Sequence, residues 1–270
     1  MGIHDLMPHL PGGGRDEYYY SFFDLKMDGN AVPFDAASAL WQFAAHHAYD
    51  YLRGNHTPAL QEWACFLNYL RSVCGWKLII YMDGMENLAK VPEIKRRRAA
   101  VELAQQRHDL HGQVKNTPEY IAKAMAVCQF LSIEAHVSAY EADTQVSFCT
   151  CKESLVAVTS DSDLLAYGVH HRLIVVKRFT GEMFCIINLD ENVEEGEYPL
   201  LDLYRKHGRI VFQLYAAYRG CDFTSCSTGI KDVGYVEFLS LVENTGDKLT
   251  AETLSVVLWD RERGGGKLKC

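Results

Sequence analysis

Short apolar runs alternate along the chain with longer segments in which apolar residues recur at helical spacing. The runs predict five strands, at 30–36, 76–84, 155–160, 172–179 and 183–189. The longer segments predict seven helices, at 37–53, 58–74, 92–112, 117–131, 140–150, 199–218 and 234–243. Such alternation is typical of a mainly parallel sheet covered by helices on both faces. The pattern predicts an α/β domain in which the last two strands form a hairpin across Thr180-Gly181-Glu182.

Three of the predicted strands end in aspartate. Asp35 ends the first, Asp83 ends the second, and Asp161 and Asp163 follow the third. Because the carboxyl ends of parallel strands share one edge of the sheet, we expect these four side chains to converge there. Three further acids are placed in a similar way: Glu141 and Asp143 at a helix start, and Asp222 after a glycine at a helix end.

Clustered carboxylates repel one another unless a positive charge lies among them. Mg²⁺ prefers carboxylate and water oxygens, and a pair of such ions is a common device for hydrolysing phosphodiesters. The acids at the strand ends therefore indicate a metal site. The alternative is that each acid caps a helix or forms a turn, which is a frequent role of Asp at these positions.

Composition adds limits to this interpretation. The 270-residue chain has a formal net charge of −8, which argues against nucleic acid unless a local basic face is present. Its nine cysteines form no paired C-x-x-C frame of the kind that holds zinc, and their odd number favours a reducing, intracellular compartment. We expect no signal peptide and no membrane span, since no apolar run is long enough.

Six motifs, in order, resemble the flap endonuclease and XPG-type 5′-nuclease family, which has a PIN-like α/β fold. They are "MGIHDL", "FDAASALWQF", "YMDG", "YEADTQ", "TSDSDLLAYG" and "GCDFTSCSTGI". The resemblance implies a mainly parallel central sheet flanked by helices, with a short helical arch and a divergent C-terminal helical hairpin. It places the family's metal carboxylates on seven acidic positions: Asp35, Asp83, Glu141, Asp143, Asp161, Asp163 and Asp222. Asp143 stands where the family usually has Glu.

The resemblance also implies a basic site beside the acids. It places Lys90 and Arg97 on the family's two active-site cations, which stabilise charge on the scissile phosphate and act in catalysis with Asp83 and Glu141. Five basic residues lie between 90 and 98, against the single acid Glu93; they are Lys90, Lys95, Arg96, Arg97 and Arg98. This local excess of positive charge predicts contact with phosphates. It provides the basic face that an acidic protein needs in order to bind nucleic acid. The alternatives are a solvated helix face and a nuclear-localisation patch.

Four other positions are implied to touch nucleic acid. Trp41 stands where the family has an aromatic side chain that stacks on a terminal base, although its apolar helix is also consistent with core packing. Gly2 stands at the processed N-terminus, which in the family lies by the active site. Gly229 and Lys231 lie in the hairpin that grips duplex phosphate and a monovalent ion, where Asp232 and Glu237 are expected to weaken the grip.

The expected organisation is a single nuclease domain over 1–270. It divides into an N-terminal part (1–98), a short helical arch or connector (99–139), an internal part (140–245) with the hairpin at 220–243, and a tail (246–270). No clamp-binding box occurs in the sequence. The family resemblance favours a nuclear protein.

These observations predict a 5′ nuclease that cuts flapped or 5′-ended DNA with two Mg²⁺ ions, for which Mn²⁺ can substitute. Two alternatives stay open. One is a nuclease of the same fold that cuts RNA. The other is a scaffold that binds nucleic acid or protein without catalysis, of which the expected sign is lost carboxylates; none of the seven is lost.

Overall fold

A six-stranded sheet forms the centre of the computed structural model. The structure describes residues 3, 6–14, 18–25, 27, 29, 31–87, 90–152, 156–168, 172–181, 183–219 and 235–245. The strands are β1 (Ala31–Asp35), β2 (Lys77–Met82), β3 (Glu134–Val137), β4 (Val156–Thr159), β5 (Arg172–Arg178) and β6 (Met183–Asn188). They lie in the order β3-β2-β1-β4-β5-β6, and all neighbours are parallel except β5 and β6.

The described residues form helices on both sides of this sheet. These are α1 (Ala37–His46), α2 (Ala48–Leu52), α3 (Thr57–Ser72), α4 (Val91–Gln106), α5 (Leu110–Gln113), α6 (Pro118–Phe130), α7 (Ala142–Lys152), α8 (Leu164–Tyr167), α9 (Pro199–His207), α10 (Ile210–Arg219) and α11 (Tyr235–Thr245). Short 3₁₀ turns lie at Met7–His9, Phe22–Asp24 and Phe179–Gly181. No described helix has the length and apolarity that crossing a bilayer requires.

The hydrophobic core has two layers because the central strands bury both faces. In β5, Ile174 and Val176 face one layer, and Leu173 and Val175 face the other. The first layer contains side chains of α1, α3 and α6, such as Trp63. The second contains side chains of α7, α9, α10 and the N-terminal segment. Burial on both faces explains why these strands read as continuous apolar runs.

The mainly parallel α/β sheet and the β5–β6 hairpin are confirmed, and each of the five predicted strands is present. Three helix predictions were wrong in extent. The helix predicted at 37–53 breaks at His47, the one at 92–112 ends at Gln106 before the separate short helix α5, and the one at 199–218 breaks at Gly208. Gly208 has a φ of 72°, a conformation that glycine adopts readily and that ends a helix.

The strand order places a topological switch point between β1 and β4. The chain runs outward from β1 to β2 and β3, and then returns to the other side of β1 to form β4. Ligands of open α/β sheets bind outside the carboxyl ends of the strands at such a point. The carboxyl ends of β2, β1 and β4 are adjacent there, and they are the strand ends at which the sequence places Asp35, Asp83, Asp161 and Asp163.

Candidate active site

Asp35 ends β1 and is 6% exposed. Its Oδ2 accepts a hydrogen bond from Thr159 Oγ1 at 2.9 Å, and its Oδ1 accepts one from the Ala37 amide at 3.1 Å. The pairing of Phe34 with Val158 brings the ends of β1 and β4 side by side and so makes the Thr159 contact. Thr159 is buried and fixes the orientation of Asp35, a role that the sequence pattern did not reveal.

Asp83 follows β2 and meets the start of α7. Its Oδ1 accepts a hydrogen bond from the Ala142 amide at 2.9 Å. The next residue, Gly84, lies so close to the segment before α7 that a Cβ at that position would be 1.9 Å from the Ser138 carbonyl oxygen. Glu141 and Asp143 flank Ala142, so three acids lie at the amino end of α7. Negative charge is favourable at this end of a helix.

Lys90 is a buried cation between two of these acids. Its side chain is 4% exposed, and its Nζ lies 2.7 Å from Glu141 Oε2 and 3.8 Å from Asp143 Oδ2. A lysine is rarely buried unless it is paired. Lys90 lies immediately before α4, and its side chain places a positive charge among the carboxylates at the sheet edge.

The loop after β4 carries Asp161 and Asp163. The Asp161 amide donates to Thr159 Oγ1 at 3.0 Å, and the Asp163 amide donates to Asp161 Oδ1 at 2.9 Å. The N-terminal segment is attached between them, because the Ile3 amide donates to Ser162 Oγ at 2.9 Å. Ile3 therefore lies beside this loop.

Six predicted carboxylates are thus brought to one region, here called the acidic cluster; they are Asp35, Asp83, Glu141, Asp143, Asp161 and Asp163. Burial, and then the charges of Asp83 and Asp143, hold the pKa of Asp35 well above its ordinary value. Burial also raises the pKa of Asp83, although the Ala142 amide, Lys90 and Arg97 oppose the rise.

The pKa of Asp143 is raised to about 7. Burial is the main cause; Lys90 opposes it, and Glu141 and Asp161 add to it. Burial therefore disfavours the charged form of all three carboxylates, and neighbouring acids add to this effect at Asp35 and Asp143.

Tyr167, at the end of α8, lies beside the acidic cluster. Burial, followed by the charges of Asp143, Glu141, Asp163 and Asp161, raises the pKa of its hydroxyl, which stays protonated at neutral pH. The sequence analysis did not single out this hydroxyl.

The four basic residues of α4 are largely exposed, but three of them pair with acidic side chains. Glu93 is buried and accepts hydrogen bonds from Arg96 Nε and Nη2 at 2.6 Å and from Arg97 Nε at 2.7 Å. Burial pushes the pKa of Glu93 up, but these hydrogen bonds outweigh it and the pKa lies below its ordinary value. Arg98 pairs with Glu86 at 2.8 Å. Lys95 is exposed to solvent. Two acids therefore offset part of the predicted basic excess.

Trp41 lies in α1 with 41% of its surface exposed. Its Nε1 donates to the Val114 carbonyl at 3.1 Å. The connector between α5 and α6 is attached to α1 and α2 by further bonds, from Asn116 Nδ2 to the Ala37 carbonyl and from Tyr51 to the Lys115 carbonyl. Trp41 is partly packed and partly exposed, so the structure is compatible both with core packing and with stacking on a base.

The remaining predicted site residues lie outside the described residues. They are Gly2, Asp222, Gly229 and Lys231, and most of the predicted hairpin lies there with them. Of that hairpin, the structure describes only the α11 portion.

The capping alternative accounts for part of the acidic cluster. Asp35, Asp83 and Asp161 each use one oxygen to accept a hydrogen bond from a backbone amide. Capping and turn formation do not require that acids from three strands and a helix lie beside one another, with Asp35, Asp143 and Asp163 buried, where burial is costly for each charge. An all-oxygen donor set with excess negative charge fits hard divalent cations such as Mg²⁺.

Comparison with solved structures finds this fold in DNA nucleases. Flap endonuclease-1 from Methanococcus jannaschii has a TM-score of 0.63 at 18% identity, over 97% of this chain and 83% of that one. The catalytic core of Rad2 in complex with DNA substrate has a TM-score of 0.62 at 15% identity, over 99% and 81%.

The Holliday junction-resolving enzyme GEN1, in complex with product DNA and Mg²⁺, has a TM-score of 0.56 at 16% identity, over 96% and 56%. No protein-family model matches the sequence. No curated protein matches it either. The chain therefore has the flap endonuclease/XPG-type nuclease fold, with a mixed, mostly parallel six-stranded sheet.

Proposed function

We propose that this protein is a metal-dependent, structure-specific 5′ nuclease that hydrolyses phosphodiesters of flapped or 5′-ended DNA. The observation that carries the proposal is the acidic cluster itself. Three adjacent strand ends and the start of α7 deliver it to the switch point of the sheet, around the buried Lys90. The shared fold adds support, since solved neighbours were crystallised with DNA.

We infer that the acidic cluster holds two Mg²⁺ ions, with Mn²⁺ as a substitute and Asp222 as a seventh ligand. Such ions, when bound, polarise the phosphate and supply an activated water at neutral pH. The solved GEN1 complex contains Mg²⁺, which is consistent with this cofactor. The monovalent ion expected near the hairpin stays a prediction.

The chain's own groups would orient the site. Thr159 Oγ1 and the Ala37 amide fix Asp35, and the Ala142 amide fixes Asp83, so both carboxylates are held before substrate arrives. We infer that Lys90, whose Nζ lies 2.7 Å from Glu141 Oε2, would donate a hydrogen bond to a phosphate oxygen at the sheet edge. Such preorganised donors favour the transition state because they need no rearrangement when charge develops.

We propose that α4 guides the nucleic acid strand away from the site. It begins directly after Lys90, and its 16 residues span about 24 Å. Lys95, Arg96, Arg97 and Arg98 lie along its first half, where phosphates would compete with Glu93 and Glu86 for the arginines. Trp41, partly exposed, would stack on a base.

The test is cleavage of a 5′-labelled DNA flap by the purified full chain. We expect Mg²⁺-dependent cleavage near the branch that EDTA abolishes and added Mg²⁺ restores. Asp35→Asn and Asp161→Asn should each lower the rate at least ~100-fold, because each removes a charged ligand from the acidic cluster. Asp190→Asn, a matched change at an exposed acid after β6, should leave the rate unchanged.

Two outcomes would overturn this proposal. Cleavage of a matched RNA flap but not of DNA would indicate the RNA-directed alternative. Binding of both flaps without cleavage in Mg²⁺ or Mn²⁺, by protein whose circular dichroism shows it to be folded, would indicate a scaffold without catalysis.

A further inference from the structure

Two adjacent histidines and a glutamate form a group outside the acidic cluster. His46 ends α1, His47 lies between α1 and α2, and Glu62 lies in α3. His46 Nδ1 is 2.9 Å and His47 Nε2 is 3.0 Å from Glu62 Oε2. Among the described residues, this is the one trio of ligand-type side chains whose ligand atoms all lie within 4.8 Å of one another.

A break in the helix produces this geometry. Consecutive residues of an α-helix point about 100° apart, so two neighbouring histidines ordinarily cannot serve the same site. His47 has φ −107° and ψ 33°, which interrupts the helix between α1 and α2. The two imidazole rings consequently lie 4.8 Å apart, and both reach the same carboxylate.

We propose that His46, His47 and Glu62 form a second metal site, which takes a borderline divalent transition metal such as Zn²⁺ rather than Mg²⁺. Two imidazoles and a carboxylate are a donor set of zinc sites, whereas Mg²⁺ prefers oxygen ligands alone. Zinc–ligand bonds of about 2.0–2.1 Å in a tetrahedron separate neighbouring ligand atoms by roughly 3.3 Å. The two contacts to Glu62 therefore need to lengthen by only a few tenths of an ångström.

The surroundings favour a cation and leave it accessible. His46 is the last residue of α1, and the carbonyl end of a helix attracts positive charge. The side chains of His46, His47 and Glu62 are 57%, 29% and 27% exposed, so ions can enter from solvent and water can complete the coordination. A bound ion would join the end of α1 to α3, two helices of the same core layer.

The cysteine pattern gave no sign of this site, because its donors are imidazoles and a carboxylate. It is also chemically separate from the proposed nuclease chemistry: excess Mg²⁺ should fill the acidic cluster and leave the histidine site empty. Binding of Zn²⁺ in the presence of excess Mg²⁺ therefore reports on this site and needs no measurement of nuclease activity.

The experiment titrates Zn²⁺ into the full chain against a chromophoric chelator, with Mg²⁺ in large excess. We expect one Zn²⁺ per chain, whose affinity falls by more than about tenfold in both His46→Gln and Glu62→Gln. His136→Gln is the matched control, since His136 is also exposed and lies 2.9 Å from Glu134 but has no second histidine beside it in the sequence. That variant should bind Zn²⁺ like the wild type.

Thermal unfolding provides a second readout. Zn²⁺ should raise the midpoint of the wild type and of His136→Gln, but not that of His46→Gln or Glu62→Gln, because an ion that binds only the folded state stabilises it. If both site variants keep the wild-type affinity and the wild-type shift, the three side chains are only a hydrogen-bonded group and the proposal is wrong.

Discussion

Lys90 is the buried cation beside which Glu141 and Asp143 lie. Breaking a buried ion pair by removal of one partner leaves an uncompensated charge and costs several kcal/mol. The cost here should depend on metal, because divalent cations would supply the missing positive charge. Lys90 is therefore expected to link the stability of the fold to the occupancy of the proposed metal site.

We predict that Lys90→Met destabilises the metal-free protein by about 3–5 kcal/mol. Mg²⁺ should recover a large part of that loss. Urea unfolding in EDTA and in Mg²⁺ measures both effects. Lys123→Met is the control, since the side chain of Lys123 is 43% exposed, against 4% for Lys90, and lies 2.7 Å from Glu119; its loss should cost no more than about 0.5 kcal/mol. Equal, small effects of the two substitutions would contradict the role given to Lys90.

Asp143 should make the metal-free protein less stable as pH rises. Its pKa is about 7 in the folded protein and 3.8 ordinarily, so between these values the folded chain binds a proton that the unfolded chain has released. The stabilisation is complete below about pH 4 and is lost as pH rises through about 7, with a slope of at most ~1.4 kcal/mol per pH unit.

The measurement for Asp143 is urea unfolding in EDTA between about pH 4 and pH 8. Asp143→Asn has no such proton to lose, so the wild type should lose stability relative to the variant across this range. A wild-type curve that stays parallel to that of the variant would mean that Asp143 ionises at its ordinary pKa.

The residues of the site differ in how far sequence could predict them. Asp35, Asp83, Asp161 and Asp163 could be predicted to meet, because each follows an apolar strand and strand ends share an edge. The pairing of Glu93 with Arg96 and Arg97 was harder to foresee. Glu93 counted as a single acid against five basic residues, but it is buried in the first turn of α4 and accepts hydrogen bonds from two of them.

Among the elements, β3 and the helix breaks show what local pattern misses. β3 is an edge strand with the sequence Glu-Ala-His-Val and is mostly exposed, so it lacks the apolar run that identified the other strands. It exists because β2 provides a parallel partner from Ile79 to Met82. The break at His47 has no glycine or proline to signal it and depends on tertiary context.

Helix α4 should contribute salt-dependent binding. In an Asp161→Asn background, which should prevent cleavage, we expect Lys95→Gln with Arg98→Gln to weaken flap binding. The slope of log affinity against log salt should fall by about 0.7–0.9 for each phosphate that the variant no longer neutralises. Lys206→Gln, at an exposed lysine of α9, should leave the slope unchanged. An unchanged slope in the double variant would mean that the strand does not follow α4.

At the scale of the whole molecule, the acidic cluster joins parts of the chain that are distant in sequence. It brings together the ends of β1, β2 and β4, the start of α7 and, through Ile3, the N-terminal segment. These elements belong to both core layers, on opposite faces of the sheet. Ions that bind this cluster should therefore stabilise the fold by mass action, and the effect should be greatest where these elements meet.

We predict that Mg²⁺ slows amide hydrogen exchange in a discontinuous pattern. The amides of Ala37, Ala142 and Asp163 donate to cluster carboxylates, so peptides that contain them should gain protection even though they are far apart in sequence. Peptides from β3 and the end of α6 serve as internal controls and should change little. Asp161→Asn removes a charged ligand. The same Mg²⁺ concentration should therefore protect these three amides much less in the variant than in the wild type. Protection spread evenly over all peptides, or retained in Asp161→Asn, would place the Mg²⁺ effect outside the cluster.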